Sequence, residues 1–98
     1  MNISNLHLVC LVEQGNVNHK GWISSIHAEE IHVNSPDPFT LQSRVQISVP
    51  QLGVKFPVNN LECHQELAWF NHRMEILRLD PGVDQAVEIL TRFLEKHF

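Results

Sequence analysis

Between Gly21 and Val49 the chain reads GWISSIHAEEIHVNSPDPFTLQSRVQISV, with apolar residues alternating with polar ones at both ends of the run. A period of two belongs to strands that bury a single face. The clearest case is Arg44 to Val49, where Val45, Ile47 and Val49 alternate with Arg44, Gln46 and Ser48. Ahead of it, Ile31 and Val33 face one way and His32 the other. Ser35-Pro36-Asp37-Pro38 supplies the turn chemistry between the two strands. Half-buried strands of this kind need a cover for their apolar face. The rest of the chain is therefore expected to extend or plug a small antiparallel barrel begun here.

The flanking segments fit that expectation. Leu6 to Val12 forms a first strand, apolar on both faces, and Gln14-Gly15-Asn16 suits a turn. A second strand runs from about Lys20 to Ile26, with Ile23 as its core residue. Pro50 and Gly53 close the strand that ends at Val49. Val54, Phe56 and Val58 resume the alternation, and Asn59-Asn60 marks a bulge or turn. Leu61 to Phe70 reads as further strand, Asn71-His72 as a hairpin turn, and Arg73 to Leu79 as the final strand. Pro57 places its strand at an edge or breaks the ladder there. Asp80-Pro81 then offers an N-cap followed by proline at the first helical position. Val83, Ala86, Val87, Leu90, Phe93 and Leu94 recur at helical spacing, giving one amphipathic helix of roughly three to four turns whose stripe plugs the barrel.

The totals restrict function more than they define it. Ninety-eight residues, 43% of them hydrophobic, make one domain with an ordinary core. Eleven acidic against seven basic residues give a formal charge of −4. The basic residues are scattered singly, so no stripe exists for a nucleic-acid polymer. Cys10 and Cys63 are far apart and outside any CxxC, which reads as two free thiols in a reducing cytoplasm, one disulfide being the other reading. The N-terminal MNISNLHLVCLVEQ has no basic leader region, and His7 and Glu13 interrupt its apolar run, so neither a signal peptide nor membrane insertion is expected. Seven histidines titrating near pH 6.5 would bring the net charge toward zero in mild acid.

Taken together, G-W-I-S-S-I-H-A-E-E-I-H-V, then S-P-D-P-F, then S-R-V-Q-I-S-V resembles the PilZ family. Leu67-Ala68-Trp69, where that family often has Val-Val-Trp, extends the resemblance, as does the final helix. It covers nearly the whole chain from Lys20 onward, mostly as pattern. It implies a mainly β fold: a six-stranded antiparallel PilZ-like β-barrel with one C-terminal α-helix. It also implies a bacterial signalling role, since the family commonly senses cyclic di-GMP.

The family's ligand motifs are where the resemblance breaks. Its (D/N)-x-S-x-x-G signature falls on Ser25 to Glu30, with Ser25 for the Asp or Asn, His27 for the Ser and Glu30 for the Gly. Its R-x-x-x-R signature is absent, the first arginine of the chain being Arg44. Arginine forks bind phosphate and guanine bidentately, so their loss removes the main cationic donors. Glu29 and Glu30 put carboxylates where the anion would approach; a like-charge contact at ~4 Å costs on the order of 4 kcal/mol at an effective dielectric near 20.

The resemblance thus implies a degenerate, non-catalytic member. Such members act through protein contacts, including roles in type IV pilus assembly and motility. The expected mechanism is docking by an exposed strand edge or by an apolar patch around Trp22 and Phe39. Trp22 adjoins Ile23, so one of the two faces outward; packing of Trp22 under the loop or helix is the other reading. His97 and Phe98, beyond the helix stripe, suit a homodimer contact. The alternative is a cyclic-di-GMP receptor whose missing arginines come from an oligomer or partner. Ser25, His27 and Glu30 are the degenerate ligand positions; His27 and Glu30 are read as solvated loop residues or as a new pH- or metal-responsive site. Cys63-His64 with His7, Cys10 and His72 shows no metal-clamp spacing, so no metal and no cofactor are expected. No G-x-S-x-G, P-loop or H-E-x-x-H is present, and Glu62 and Glu66 define no reaction geometry, so no enzyme is expected.

Overall fold

The computed structural model describes residues 8–27, 29–38 and 44–97. Six strands, β1 (Leu8–Gln14), β2 (Val17–His27), β3 (Glu30–Ser35), β4 (Arg44–Val49), β5 (Val54–Glu66) and β6 (Trp69–Ile76), precede one helix, α1 (Pro81–His97). Every strand pairing is antiparallel. The strands close in the order β1-β2-β3-β6-β5-β4, with β4 returning to β1. The fold of the described residues is therefore mainly β, a closed six-stranded antiparallel barrel with one C-terminal helix; the alternation leads to the antiparallel barrel, and the six strands are what the resemblance implies.

Alternation fills the barrel. Val45, Ile47 and Val49 point inward from β4, and Val54, Phe56 and Val58 do so from β5. Burying each such side chain contributes roughly 1.5–3 kcal/mol. The Leu8 strand is buried on one face, not two: Leu8, Cys10 and Val12 are inside while Val9 is exposed. β1 pairs with both β2 and β4, so closure of the barrel, rather than burial on both faces, satisfies its backbone.

Two bulges keep inward residues in phase. Ile23 and Ile26 are three apart, an odd spacing that a regular strand would split between faces. A register shift between Ile23 and Ser25 inserts one extra residue, so Ile23 is buried and Ile26 packs against the same core. A second shift, between Asn60 and Glu62, lies at the position the Asn59-Asn60 pair indicates.

The β5–β6 hairpin differs from its expected place. The turn is Leu67-Ala68, between the last pair Glu66↔Trp69, and Asn71 and His72 lie inside β6 opposite His64 and Cys63. Leu67 takes φ +55°, a left-handed value normally left to glycine or asparagine. Local turn chemistry favours Asn71-His72, but tertiary pairing decides. Only this register puts His72, Met74 and Ile76 in the interior.

Pro57 lies in an interior strand, opposite Gln46 of β4. Its carbonyl accepts from Leu77 N at 3.0 Å, so its ring nitrogen also faces the side where β6 has just ended. No β4 hydrogen bond is lost, and the sheet has no edge there. The helix starts as expected: Asp80 Oδ1 accepts from Gly82 N at 2.8 Å and from Val83 N at 3.3 Å. It has 17 residues, longer than expected, and leans on β5. Val83, Ala86, Val87, Leu90 and Leu94 join the barrel core, and Phe93 packs at its margin with its ring 4.3 Å from that of His97.

Candidate functional site

The outer surface of β2, β3, β6 and β5 carries three successive cross-strand rows, and these locate the candidate residues. One row runs Trp22–Asn34–Asn71–His64, the next Ser25–His32–Arg73–Glu62, and the third His27–Glu30–Glu75–Asn59. Ser25, His27 and Glu30 thus share the last two rows, away from Trp22.

Ser25 is partly covered beside the bulge, where the neighbouring Ser24 Oγ donates to His32 O at 3.2 Å. His27 is exposed and its ring lies edge-on to His32, centroids 6.4 Å apart. Glu30 accepts from Arg73 Nη1 at 2.6 Å. Arg73 also donates through Nε to Glu62 at 3.0 Å, and Glu62 in turn meets His64 Nε2. Hydrogen bonds from His64 and Arg73 hold the Glu62 carboxyl below its ordinary range. Glu29 accepts from Arg78 Nε at 3.1 Å through both oxygens, and Arg78 Nη1 donates to Asp84 on the helix.

The repulsion expected from Glu29 and Glu30 is therefore largely offset by arginines of the same fold. Exposed pairs of this sort contribute little to stability. Their consequence is electrostatic. Arg73 and Arg78, which hold Glu30 and Glu29, are each engaged by carboxylates on two sides.

The Trp22 row has a different chemistry. Gly21 and Ile23 are buried, and Trp22 between them faces outward, as the alternation requires. Its companion is Trp69, from the far end of the β5–β6 hairpin. The rings meet edge to face, centroids 4.7 Å apart and planes at 85°. Phe39 lies outside the described residues, as does Phe98. Trp22, Asn34, Glu66, Leu67, Trp69 and Asn71 together line an open cleft of ≈ 470 Å³. Trp69 is 45% exposed and Leu67 97% exposed. An aliphatic side chain standing in water on a left-handed backbone is unfavourable on both counts.

The position of the turn decides whether this pairing can be read from the sequence. With a turn at Asn71-His72, Trp69 sits two residues from a loop and its face is undefined. With the turn at Leu67-Ala68, Trp69 is the first residue of β6 and the phase of His72 and Met74 sends it outward.

The histidine that sequence reasoning misses as a structural element is His72. It is fully buried, and its Nε2 donates to Asp37 O at 3.2 Å and lies 3.3 Å from Ser35 Oγ. Ser35 Oγ donates to the same carbonyl. Since a carbonyl only accepts, the proton sits on Nε2. Burial depresses the basicity of the ring, against a smaller opposing effect of the Asp37 hydrogen bond. His19 Nδ1 meets the Asp37 side chain at 3.3 Å, so β2 and β6 both hold the loop that leaves β3. Cys10 is an interior thiol pushed up to about 12 by burial, and Cys63 is partly exposed. Among the described residues no three His, Cys, Asp or Glu side chains gather into a metal-binding group.

No described helix is long and apolar enough to cross a membrane. Comparison of the chain with protein-family models, with curated proteins and with solved structures gives no match.

Proposed function

We propose that the chain is a PilZ-like domain of cytoplasmic bacterial signalling that is not an enzyme and works by docking onto a protein partner. The observation that carries this reading is Leu67. It is almost fully exposed on a left-handed backbone, next to the half-exposed Trp69 and its partly covered ring partner Trp22. Stability alone would select glycine or asparagine there. Large rigid aromatics beside an exposed aliphatic have the composition of an interface hot spot. Docking by a strand edge falls away, because the barrel closes and leaves no free edge among the described strands. The docking face named here is Trp22, Trp69 and Leu67; Phe39, expected beside Trp22, lies outside the described residues.

Under this reading the domain does not bind cyclic di-GMP by itself. Glu29 and Glu30 occupy the altered signature, and the adjacent arginines are engaged with them. A receptor completed by arginines from a partner would have to bring cations to a rim already neutralised. The test is affinity capture from a bacterial cytoplasm, comparing the natural chain with Trp69→Ala. A captured protein that is lost with Trp69→Ala, but kept with the helix-surface variant Ile89→Ala, supports the reading. Capture indifferent to Trp69 contradicts it.

A further inference from the structure

The cleft at Trp22 and Trp69 is chemically one-sided. Two indoles meeting at 85° form the walls of a right-angled corner. Each ring carries negative charge on its face and positive charge at its edge, so a cation placed in the corner is attracted by two faces at once. Glu66, opposite Trp69 in the last pair of the hairpin, adds a carboxylate as a third wall. Asn34 and Asn71, paired across β3 and β6, contribute amide oxygens able to accept hydrogen bonds. Neither lysine nor arginine is among the described lining residues.

These facts choose between occupants. An anion meets Glu66 and two ring faces, all repulsive. A purely apolar side chain fits the indoles but strips water from the Glu66 carboxylate with nothing in return. A cation on an aliphatic stem satisfies every wall. Guanidinium suits the corner better than ammonium, because it is planar, weakly hydrated and stacks on indole faces. The chain's formal charge of −4 also favours approach of a basic partner.

We propose that the Trp22–Trp69 corner is a socket for one cationic side chain of a protein partner, arginine before lysine, with a neighbouring aliphatic residue of that partner packed on Leu67. This rests on the reading that the face docks a protein, and it names the chemistry recognised there.

Trp22 and Trp69 are the chain's two tryptophans, so indole emission reports this corner alone. The probe is an acetylated, amidated Leu-Arg-Leu tripeptide, compared with the same peptide carrying neutral citrulline in place of arginine. The expected result is a saturable emission change, with the arginine peptide binding about three- to tenfold more tightly. In Glu66→Gln, an exposed position, the fold is retained by circular dichroism and the preference shrinks to about twofold or less. Equal binding of the two peptides overturns the cationic socket and leaves the docking face standing. No emission change with either peptide also overturns the socket, while capture dependent on Trp69 still decides the docking reading separately. An arginine preference unchanged in Glu66→Gln removes the carboxylate from recognition and contradicts the three-walled socket.

Discussion

Trp22 of β2 and Trp69 of β6 meet edge to face 4.7 Å apart on the outer surface of the barrel. The contact crosses β3, which separates their strands, and passes over the Asn34–Asn71 pair. Aromatic pairs of this geometry usually add to a core. Here the pair lies outside, against an exposed aliphatic turn, where a partner can reach it.

Leu67→Gly separates stability from docking. At φ +55° a non-glycine residue costs roughly 1–2 kcal/mol, while glycine costs about 0.5–1 kcal/mol in chain entropy. The variant should be as stable as the natural chain, or up to about 1 kcal/mol more so, in urea unfolding, and should capture partner more weakly. A clear loss of stability would show that the Leu67 side chain holds the hairpin.

Gly21 is needed for space rather than for an unusual φ. A Cβ there would lie 2.9 Å from the Asn34 carbonyl oxygen and 3.1 Å from Val33 Cγ1. Both belong to the strand paired with β2, so the backbone has to move. Gly21→Ala should cost about 1–3 kcal/mol in chemical denaturation, by analogy with overpacked cores. A change below a few tenths would mean the β2–β3 pair yields freely.

The two thiols should react in sequence. Cys63 is partly exposed, whereas Cys10 is buried with its thiol pushed up to about 12. The thiolate is the reactive form. With iodoacetamide at pH 8, mass spectrometry should find Cys63 alkylated in the folded protein and Cys10 only after denaturation. Equal labelling of both under native conditions would contradict the burial of β1.

Mild acid should destabilise the fold through His72. Its folded affinity for a proton is depressed from the ordinary 6.5 by burial. Below about pH 6.5 the unfolded chain therefore binds a proton that the folded chain refuses, and stability falls as pH falls until the folded ring also titrates. Urea unfolding at pH 7.5, 6.5 and 5.5 should show this decline, reduced in His72→Gln. A decline of the same size in that variant would place its origin elsewhere.

Cyclic di-GMP should give no binding heat with the isolated domain in a calorimetric titration at moderate salt. Micromolar binding would revive the receptor reading and would require Arg73 or Arg78 to leave its carboxylates.

Much of this fold is legible in the sequence because its inner positions alternate cleanly. Val45, Ile47 and Val49, then Val54, Phe56 and Val58, define β4 and β5 by their period alone, and Asp80 announces the helix. Legibility fails where tertiary pairing overrides local chemistry. Leu67-Ala68 contains no turn former, so local signals point to Asn71-His72 for the hairpin that Leu67-Ala68 makes. That displacement conceals both the burial of His72 and the outward face of Trp69. Ser25, His27 and Glu30 fall on adjoining rows through ordinary β-pairing. Arg73 and Arg78 lie more than forty residues beyond Glu30 and Glu29, which they hold, and carry no local signal.

On the proposed function, a protein partner sits on the Leu67–Trp69 turn. Site-specific photo-crosslinking tests it most directly, with p-benzoylphenylalanine introduced in place of Leu67 and, as comparison, in place of the exposed helix residue Ile89. On irradiation in cells, a discrete protein adduct from the position of Leu67, absent from that of Ile89, is the predicted result. No adduct at the turn, or the same adducts from both positions, would contradict it.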